Sequence, residues 1–488
     1  MFSPSDGTYR AWHLTGAGFE ELRSQRLSRP KIAPDELLLH QRVVTICYSS
    51  IKVLRLGNRH PRLVGRDLAA DPVVLGDECF GVVAEVGEKL RDRYSVGDHV
   101  VVCPDLDVDA YGYGVPGGLQ QLNVIRGKMV DFLIKVTPAV VERYGMFALA
   151  LSEPLGCVER ALSLDYRTSP KAAGKAVRWD DLGGQVPVNT PEAPSIDDFI
   201  VESSDPEVIE RAVSWATPRL ARFGVAAILG APPADCHINI DLGRAHYDRT
   251  LVVGSDHGDL DDAFTRNTAF GLPEGGTVLL LGAGGPMGQF FLMRTVSEKN
   301  AVPSRVYAVE ILPDRVANLE RVVTQLDTDI DVSVVDVSGE PTRHAPDIKG
   351  IDTLVLLCSD VEALRSYLPS LNDNAVINAF AGLKGAVLEV EARDLCSRGA
   401  RVIGHSGTSL EFQTRTLSRI TSGEVDVAPV VAGVGGFDAA RDALKAAYEG
   451  TYPGKIVIYQ DIDCPLTPLA ELTGGRPWSA EAERKLLA

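Results

Sequence analysis

The residues best placed to do chemistry begin at a glycine turn. Thr277 to Leu281 is an apolar run; Gly282-Ala283-Gly284-Gly285-Pro286-Met287-Gly288 follows it and opens a helical pattern from Met287 to about Val296. Glycines let a backbone turn tightly and approach a pyrophosphate, whose charge then meets free N–H groups at the helix N-terminus. Glu310 ends the next apolar run, 22 residues after Gly288. A carboxylate there accepts hydrogen bonds from both hydroxyls of an adenosine ribose and repels a 2′-phosphate, so NAD is favoured over NADP. Arg315, one helical turn further on, either flanks the adenine or tolerates a phosphate, which tempers that preference. Strand, turn, helix, strand and acid in this order form the context in which such a turn means dinucleotide binding. Gly282, Gly284, Gly285, Pro286, Met287, Gly288, Glu310 and Arg315 are therefore the expected cofactor-binding residues.

The elements that must position them are read from the same periodicity. Strands are expected at Arg305 to Val309, Val332 to Val335, Thr353 to Leu357, Ala375 to Ile377 and Arg401 to Ile403, with a helix from Asp314 to Gln325. Six such β units predict a doubly wound parallel sheet of the Rossmann type. The chain to about residue 165 reads instead as β-rich, with runs such as Glu36 to His40 and His99 to Val102 between glycine and proline breaks.

Between these blocks lies a third. A polar linker rich in proline and glycine, Gly183 to Pro194, leads into Ile196-Asp197-Asp198-Phe199-Ile200-Val201-Glu202-Ser203-Ser204-Asp205-Pro206-Glu207, which is identical at five of twelve positions to the segment Ile351 to Glu362. Gly224 to Gly230 then parallels Asn374 to Phe380, and Thr250 to Ser255 parallels Ala400 to His405. The order and spacing predict an internal repeat of the second half of the nucleotide sheet. This copy has no glycine turn, so no second dinucleotide site is expected in 170–268.

The N-terminal block carries Cys47-Tyr48-Ser49-Ser50-Ile51-Lys52, Gly76-Asp77-Glu78-Cys79-Phe80-Gly81, Glu85-Val86-Gly87, Val96-Gly97-Asp98-His99-Val100 and Ser152-Glu153-Pro154-Leu155. In this order, ahead of a nucleotide fold, these motifs resemble the medium-chain dehydrogenase/reductase family of zinc-type alcohol and polyol dehydrogenases, over about residues 8–168 and 272–460. Tyr113-Gly114, Gly117-Gly118, Glu153-Pro154 and the tail Tyr452-Pro453-Gly454-Lys455-Ile456-Val457-Ile458-Tyr459 look most like the L-sorbose-1-phosphate reductase and polyol branch. The resemblance implies an α/β chain with a GroES-like, β-rich catalytic domain over 1–168, completed by 408–460. An inserted partial Rossmann repeat (169–268), an NAD-binding Rossmann domain (269–407) and a return with a C-terminal extension (408–488) would follow.

It also implies a catalytic zinc, with ligands falling on Cys47, Asp77, and Glu153 or the neighbouring Glu78. Zinc uses about three protein ligands and keeps an open position for a substrate oxygen. The family's Gly-His-Glu is here Gly76-Asp77-Glu78, a harder, more anionic donor set and a weaker Lewis acid. A retained metal and a remodelled site are both open on sequence. The four-cysteine structural zinc lobe of some members is not expected, since Cys103 alone lies near its place. Ser49 stands at the family's hydroxyl relay position and Lys52 where many members have a relay histidine. Lys52 could carry a proton, bind a phosphate as a simple cation, or be a solvated lysine. The implied catalytic residues are Cys47, Ser49, Lys52 and Glu153, and Lys455 matches a family position near the pyrophosphate. Arg59, His60 and Arg62 would suit a phosphorylated or carboxylated substrate, or form a solvated loop. His99 and His405 read as structural, Cys79 and Cys157 as small core residues.

Over 488 residues, 49 basic and 66 acidic side chains leave a charge of −17, and a negative field of that size repels nucleic acid and anionic membranes. No apolar stretch approaches the ~18–20 residues of a membrane span, and no basic segment followed by an apolar one begins the chain. The eight scattered cysteines include no C-x-x-C pair, as expected of reduced thiols in a cytoplasm. The leading expectation is an NAD-dependent oxidoreductase acting on a secondary alcohol or ketone of a sugar, polyol or cyclitol, phosphorylated or not. Two alternatives stay open: an epimerase, lyase or cyclase with transient oxidation, and a non-catalytic nucleotide-binding protein. The expected partners are a small-molecule substrate and further copies of the chain. The resemblance implies dimers formed by pairing sheet edges, an edge the inserted half-sheet could cover or replace; it could also act as a lid.

Overall fold

Runs of β-branched and aliphatic residues three to ten long, separated by short amphipathic helices, dictate strands buried on both faces. The computed structural model describes residues 7–104, 110–183, 194–266, 270–339 and 347–488, in two units, 1–159 with 407–488 and 160–406. Most of the expected linker, residues 184–193, lies outside the described residues.

In the unit 160–406 the strands are Ala176–Arg178 (β1), Ile196–Glu202 (β2), Leu220–Leu229 (β3), His237–Asp241 (β4), Leu251–Ser255 (β5), Thr277–Leu281 (β6), Arg305–Glu310 (β7), Asp331–Asp336 (β8), Ile351–Leu356 (β9), Leu371–Asn378 (β10), Val387–Glu391 (β11) and Arg401–Ile403 (β12). A six-stranded parallel sheet runs β8-β7-β6-β9-β10-β12. Its order reverses between β6 and β9, the switch point at which open α/β sheets bind dinucleotides. Strand β10 begins four residues before the expected Ala375, because polar Asn372 and Asp373 and the positive φ of Asn374 (61°) hide it from an apolar pattern. A second parallel sheet runs β5-β3-β2-β1. Here β2, β3 and β5 are the segments matched in sequence to β9, β10 and β12, and β1 takes beside β2 the place that β6 takes beside β9. Three residues long, β1 is too short to register as a periodic pattern. Where β6 continues into its glycine turn, β1 continues into Trp179, 3% exposed and packed against the rings of Phe199 and Trp215. Strands β4 and β11 form an antiparallel pair of their own.

In the other unit, Leu37–Thr45 is the central strand. It pairs antiparallel with Glu78–Val86, Leu122–Ile125 and Lys455–Tyr459, and the sheet extends through His99–Val102 and Leu133–Val136 on one side and Val431–Gly436 and Thr467–Pro468 on the other. Leu39, Val44, Val83, Val100 and Ile458 pack into one buried cluster; each such side chain contributes roughly 1.5–3 kcal/mol. Register then does the positioning. Thr45 lies opposite Glu78 on one side and Val457 on the other, so the end of one strand meets the starts of two others. Cys47, two residues past Thr45, caps the helix Tyr48–Leu56. Among the described residues no helix is long and apolar enough to cross a membrane.

The C-terminal extension is tied to the same unit through a buried carboxylate. Helix Ala480–Leu487, capped by Ser479, presents Glu483 at 3% exposure. Its carboxylate accepts from Met146 N (2.7 Å), Phe147 N (2.9 Å) and the Tyr459 hydroxyl (2.8 Å), and Trp478 Nε1 donates to that hydroxyl (2.8 Å). Removing one acceptor would strand three buried donors, at about 1–3 kcal/mol for each group left unpaired. Glu483→Ala is expected to lower the unfolding free energy of this unit by about 3 kcal/mol in urea titrations, with Glu483→Gln recovering part. An unshifted midpoint for Glu483→Ala would show that the extension is not held this way.

Candidate active site

Four chain segments converge where the strands end. Cys47 supplies the cap of helix Tyr48–Leu56, its sulfur accepting from Ser49 N at 3.5 Å. Ser49 Oγ donates to Asp77 Oδ2 at 2.7 Å. Asp77 is 6% exposed, and its Oδ1 is buried without a hydrogen-bond partner. Gly117 N and Gly118 N donate to Val74 O and Gly76 O (both 2.8 Å), so the Gly-Gly pair clamps the loop that carries Asp77 and Glu78. Glu153 stands in the first turn of helix Ser152–Ala161, 5% exposed, with the Cys157 thiol 3.6 Å from Oε1. Lys455, first residue of its strand, is 3% exposed and donates to Ile46 O at 3.4 Å.

Glu78 is fully buried and both its oxygens are taken, Oε1 by the Lys455 ammonium and Oε2 by the Thr45 hydroxyl. Glu78 was one of the expected metal-ligand positions; each of its oxygens already accepts one hydrogen bond, whereas Asp77 Oδ1 accepts none. The Lys455 ammonium, expected near a pyrophosphate, here pairs with Glu78.

Electrostatics sharpens the picture. Burial, then Glu78, pushes Asp77 up to about 6, with the Ser49 hydrogen bond pulling back. Burial, then Glu78 and Asp77, pushes Glu153 well up, and burial with Asp77, Glu78 and Glu153 does the same to the Cys47 thiol. Burial works to pull Lys455 down, but Glu78 and Cys47 outweigh it and hold the ammonium above the ordinary lysine value. The pocket thus gathers more acidic groups than Lys455 can balance, and burial drives Asp77, Glu153 and Cys47 toward their neutral forms; a sulfur and two carboxylates buried together are donors that a divalent cation would hold in their charged forms. Among the described residues, no three such side chains stand together as a ready-made metal site.

Two further groups border this pocket. Tyr113, 7% exposed, is raised by burial and by Asp77 and Cys47, and is in hydrogen-bonding reach of Ser49. The His60 ring lies 5.4 Å from its ring and the Arg62 guanidinium 5.5 Å, so Tyr113 joins the basic cluster to the site. In the sequence Tyr113 was visible only as part of a family motif; its ring contacts His60 and Arg62 come from over fifty positions away. Lys52 is half-buried, its ammonium 6.0 Å from the ring centre of Tyr48. Cys79 is fully buried, as expected of a core residue, and the exposed Arg59 lies outside these contacts.

In the unit 160–406, Gly282 makes its turn at φ 89°, and Gly282 N and Ala283 N both donate to Val309 O. Gly285 caps helix Pro286–Val296 without a side chain, and Pro286 is its first residue, so Met287 and Gly288 N–H face the turn as open donors. Glu310, 4% exposed, accepts from Gly284 N (2.9 Å), Ile311 N (2.8 Å) and Leu312 N (3.1 Å). It holds the turn as well as standing where a ribose would be read. Arg315 packs on the same turn, its Nε buried without a partner. His405 is 4% exposed and pushed down to about 2 by burial and by Arg160 and Arg249, which keeps its imidazole neutral.

Residues 33–136 match the family model of the alcohol dehydrogenase GroES-like domain. Mannitol-1-phosphate 5-dehydrogenase of Aliivibrio fischeri is 22% identical over 484 residues, 96% of this chain and 91% of that protein. L-sorbose 1-phosphate reductase of Klebsiella pneumoniae is 29% identical over 157 residues, 30% of this chain and 37% of that protein. The crystal structure of 2R,3R-butanediol dehydrogenase from Bacillus subtilis superposes with a TM-score of 0.57 at 15% identity, covering 93% of this chain and all of that one.

The buried Lys455–Glu78 pair yields a direct test. Removing one partner of such a pair costs about 3–5 kcal/mol, because the other charge is left uncompensated. Lys455→Met should therefore destabilise the unit by about that much in chemical denaturation. Lys455→Met combined with Glu78→Gln should lose distinctly less. Equal losses in single and double variants would mean the two charges are not coupled.

Proposed function

Given that this chain belongs to the medium-chain dehydrogenase/reductase family and is an oxidoreductase of the alcohol and polyol dehydrogenase type, we propose that it transfers hydride between NAD and a secondary alcohol or ketone of a polyol or sugar, free or as its monophosphate. The observation that carries this reading is the unpartnered, buried Asp77 Oδ1 beside Cys47 and Glu153. A polar atom in that position is costly unless something binds it. Cys47, Asp77 and Glu153 would hold a divalent cation, drawn together by it. Once bound, such an ion polarises a substrate carbonyl or lowers the pKa of an alcohol.

The chain's own residues supply the rest. Ser49, oriented by its hydrogen bond to Asp77, presents a hydroxyl through which a substrate proton passes. Tyr113 closes the buried side of the pocket and holds Arg62 and His60 near it, a placement suited to a phosphate or to several hydroxyls. The glycine turn at 282–288 offers N–H groups to a pyrophosphate, and Glu310 favours a free ribose over a 2′-phosphate. Lys455 and Glu78 bind no substrate in this account; they set the charge of the pocket.

The experiment is NAD-linked turnover of polyols, ketoses and their monophosphates, followed by the absorbance of the reduced nicotinamide, with zinc supplied. Wild type should turn over at least one of them with NAD preferred to NADP. Cys47→Ala should lower kcat/KM by about 100-fold or more, and Ser49→Ala should act mainly on kcat, by roughly 100-fold. Undiminished activity in Cys47→Ala, or no turnover across the panel with either nucleotide, would overturn the proposal.

A further inference from the structure

Strands β4 and β11 occupy the same place in the two matched blocks, and they pair with each other. His237 lies opposite Glu391, Asn239 opposite Glu389 and Asp241 opposite Val387. The sequence match aligns His237 with Val387 and Asp241 with Glu391. Each residue therefore faces the counterpart of one equally far from the centre, and at the centre Asn239 and Glu389 are counterparts of each other. Flanking contacts are reciprocal too. Leu242 N donates to Ala386 O (3.0 Å) and Ala392 N to Cys236 O (2.8 Å). Gly254 sits so close to Cys396 that an added Cβ would lie 2.3 Å from its sulfur, and Gly404 so close to His246 that one would lie 2.9 Å from its Cα.

Within each block the same devices recur. Asp197 accepts from Lys175 N at the entry to β1 (2.9 Å), and Asp352 from Thr277 N at the start of β6 (2.8 Å). Phe223 and Asn374, one residue out of step with the sequence match that sets Gly224 against Asn374, both take positive φ (65° and 61°) and donate their N–H to Asp248 O and Arg398 O. Arg244 pairs with Asp248 and Arg398 with Asp394, both at 2.9 Å, the same ion pair with its ends exchanged. Ile238 and Ile240 of β4 and Leu388 and Val390 of β11 lie in one buried cluster, while Asn239 and Glu389 are exposed.

Reciprocal contact between like patches across a two-fold is the geometry of an isologous interface, normally found between two copies of one chain. Such an interface closes on itself, because each strand spends on its counterpart the edge it would offer to a second copy. We propose that the block 170–268 is a built-in partner, which occupies within one chain the patch through which β11 would pair with β11 of a second copy. The chain carries its own half of a dimer, and any larger assembly uses another surface. The inference does not depend on the reaction catalysed.

The test uses the full chain with two cysteine variants, Glu389→Cys alone and Asn239→Cys/Glu389→Cys together. Both positions are exposed, so pairing is probed and not folding. Directly opposed antiparallel residues lie within the Cα separation a disulfide spans. After oxidation by copper phenanthroline, non-reducing gels and peptide mass spectrometry are compared with wild type. The double variant should form an intrachain disulfide and migrate as one chain, and the single variant should give no covalent dimer beyond the wild-type background. A covalent dimer of Glu389→Cys, an interchain bond in the double variant, or no bond between positions 239 and 389 would each overturn the proposal.

Discussion

The ion pair between Lys455 and Glu78 is the constraint around which the catalytic unit is organised. Both groups are almost without exposure, a situation tolerated only when each charge meets its opposite at close range. That demand fixes the start of strand Lys455–Tyr459 against the start of Glu78–Val86, with the end of Leu37–Thr45 between them. Cys47 and Asp77, neighbours of these strand ends in sequence, are carried to the same place. With Lys455 paired to Glu78, burial drives Asp77 and Glu153 toward their neutral forms. That unbalanced acidity is what makes the pocket a cation site on this account, and it arises from register before any ligand enters.

The unit 160–406 depends on a different constraint. A parallel sheet is covered on both faces but has two edges, and an exposed edge invites association. Here the matched block supplies a second sheet and an antiparallel ladder, β4 with β11, whose partners are like residues. The aromatic trio Trp179, Phe199 and Trp215 packs together where β1 ends, whereas β6 runs into its glycine turn.

Much of this was legible in the sequence because glycine turns, strand alternation and segment matching are local signals. The six strands around the turn were readable in order, as were the matched segments at Ile196, Gly224 and Thr250. Strand β1 was not, since three residues carry no period, nor was the start of β10, where Asn374 leaves the usual backbone region. The expected site residues divided along the same line. Cys47, Asp77 and Glu153 could be named from motif order, but the motif could not say that Glu78 pairs with Lys455 and Thr45. Tyr113 was equally hidden, because its partners Ser49, His60 and Arg62 come from a distant part of the chain.

The central physical claim is that the buried acids beside Cys47 are completed by a divalent cation. Calorimetric titration of zinc into metal-stripped protein tests it most directly, with Asp77→Asn as the comparison. The account predicts one tight equivalent bound by the wild type and a large loss of affinity in the variant. Zinc binding that is absent from the wild type, or unchanged by the substitution, would contradict it.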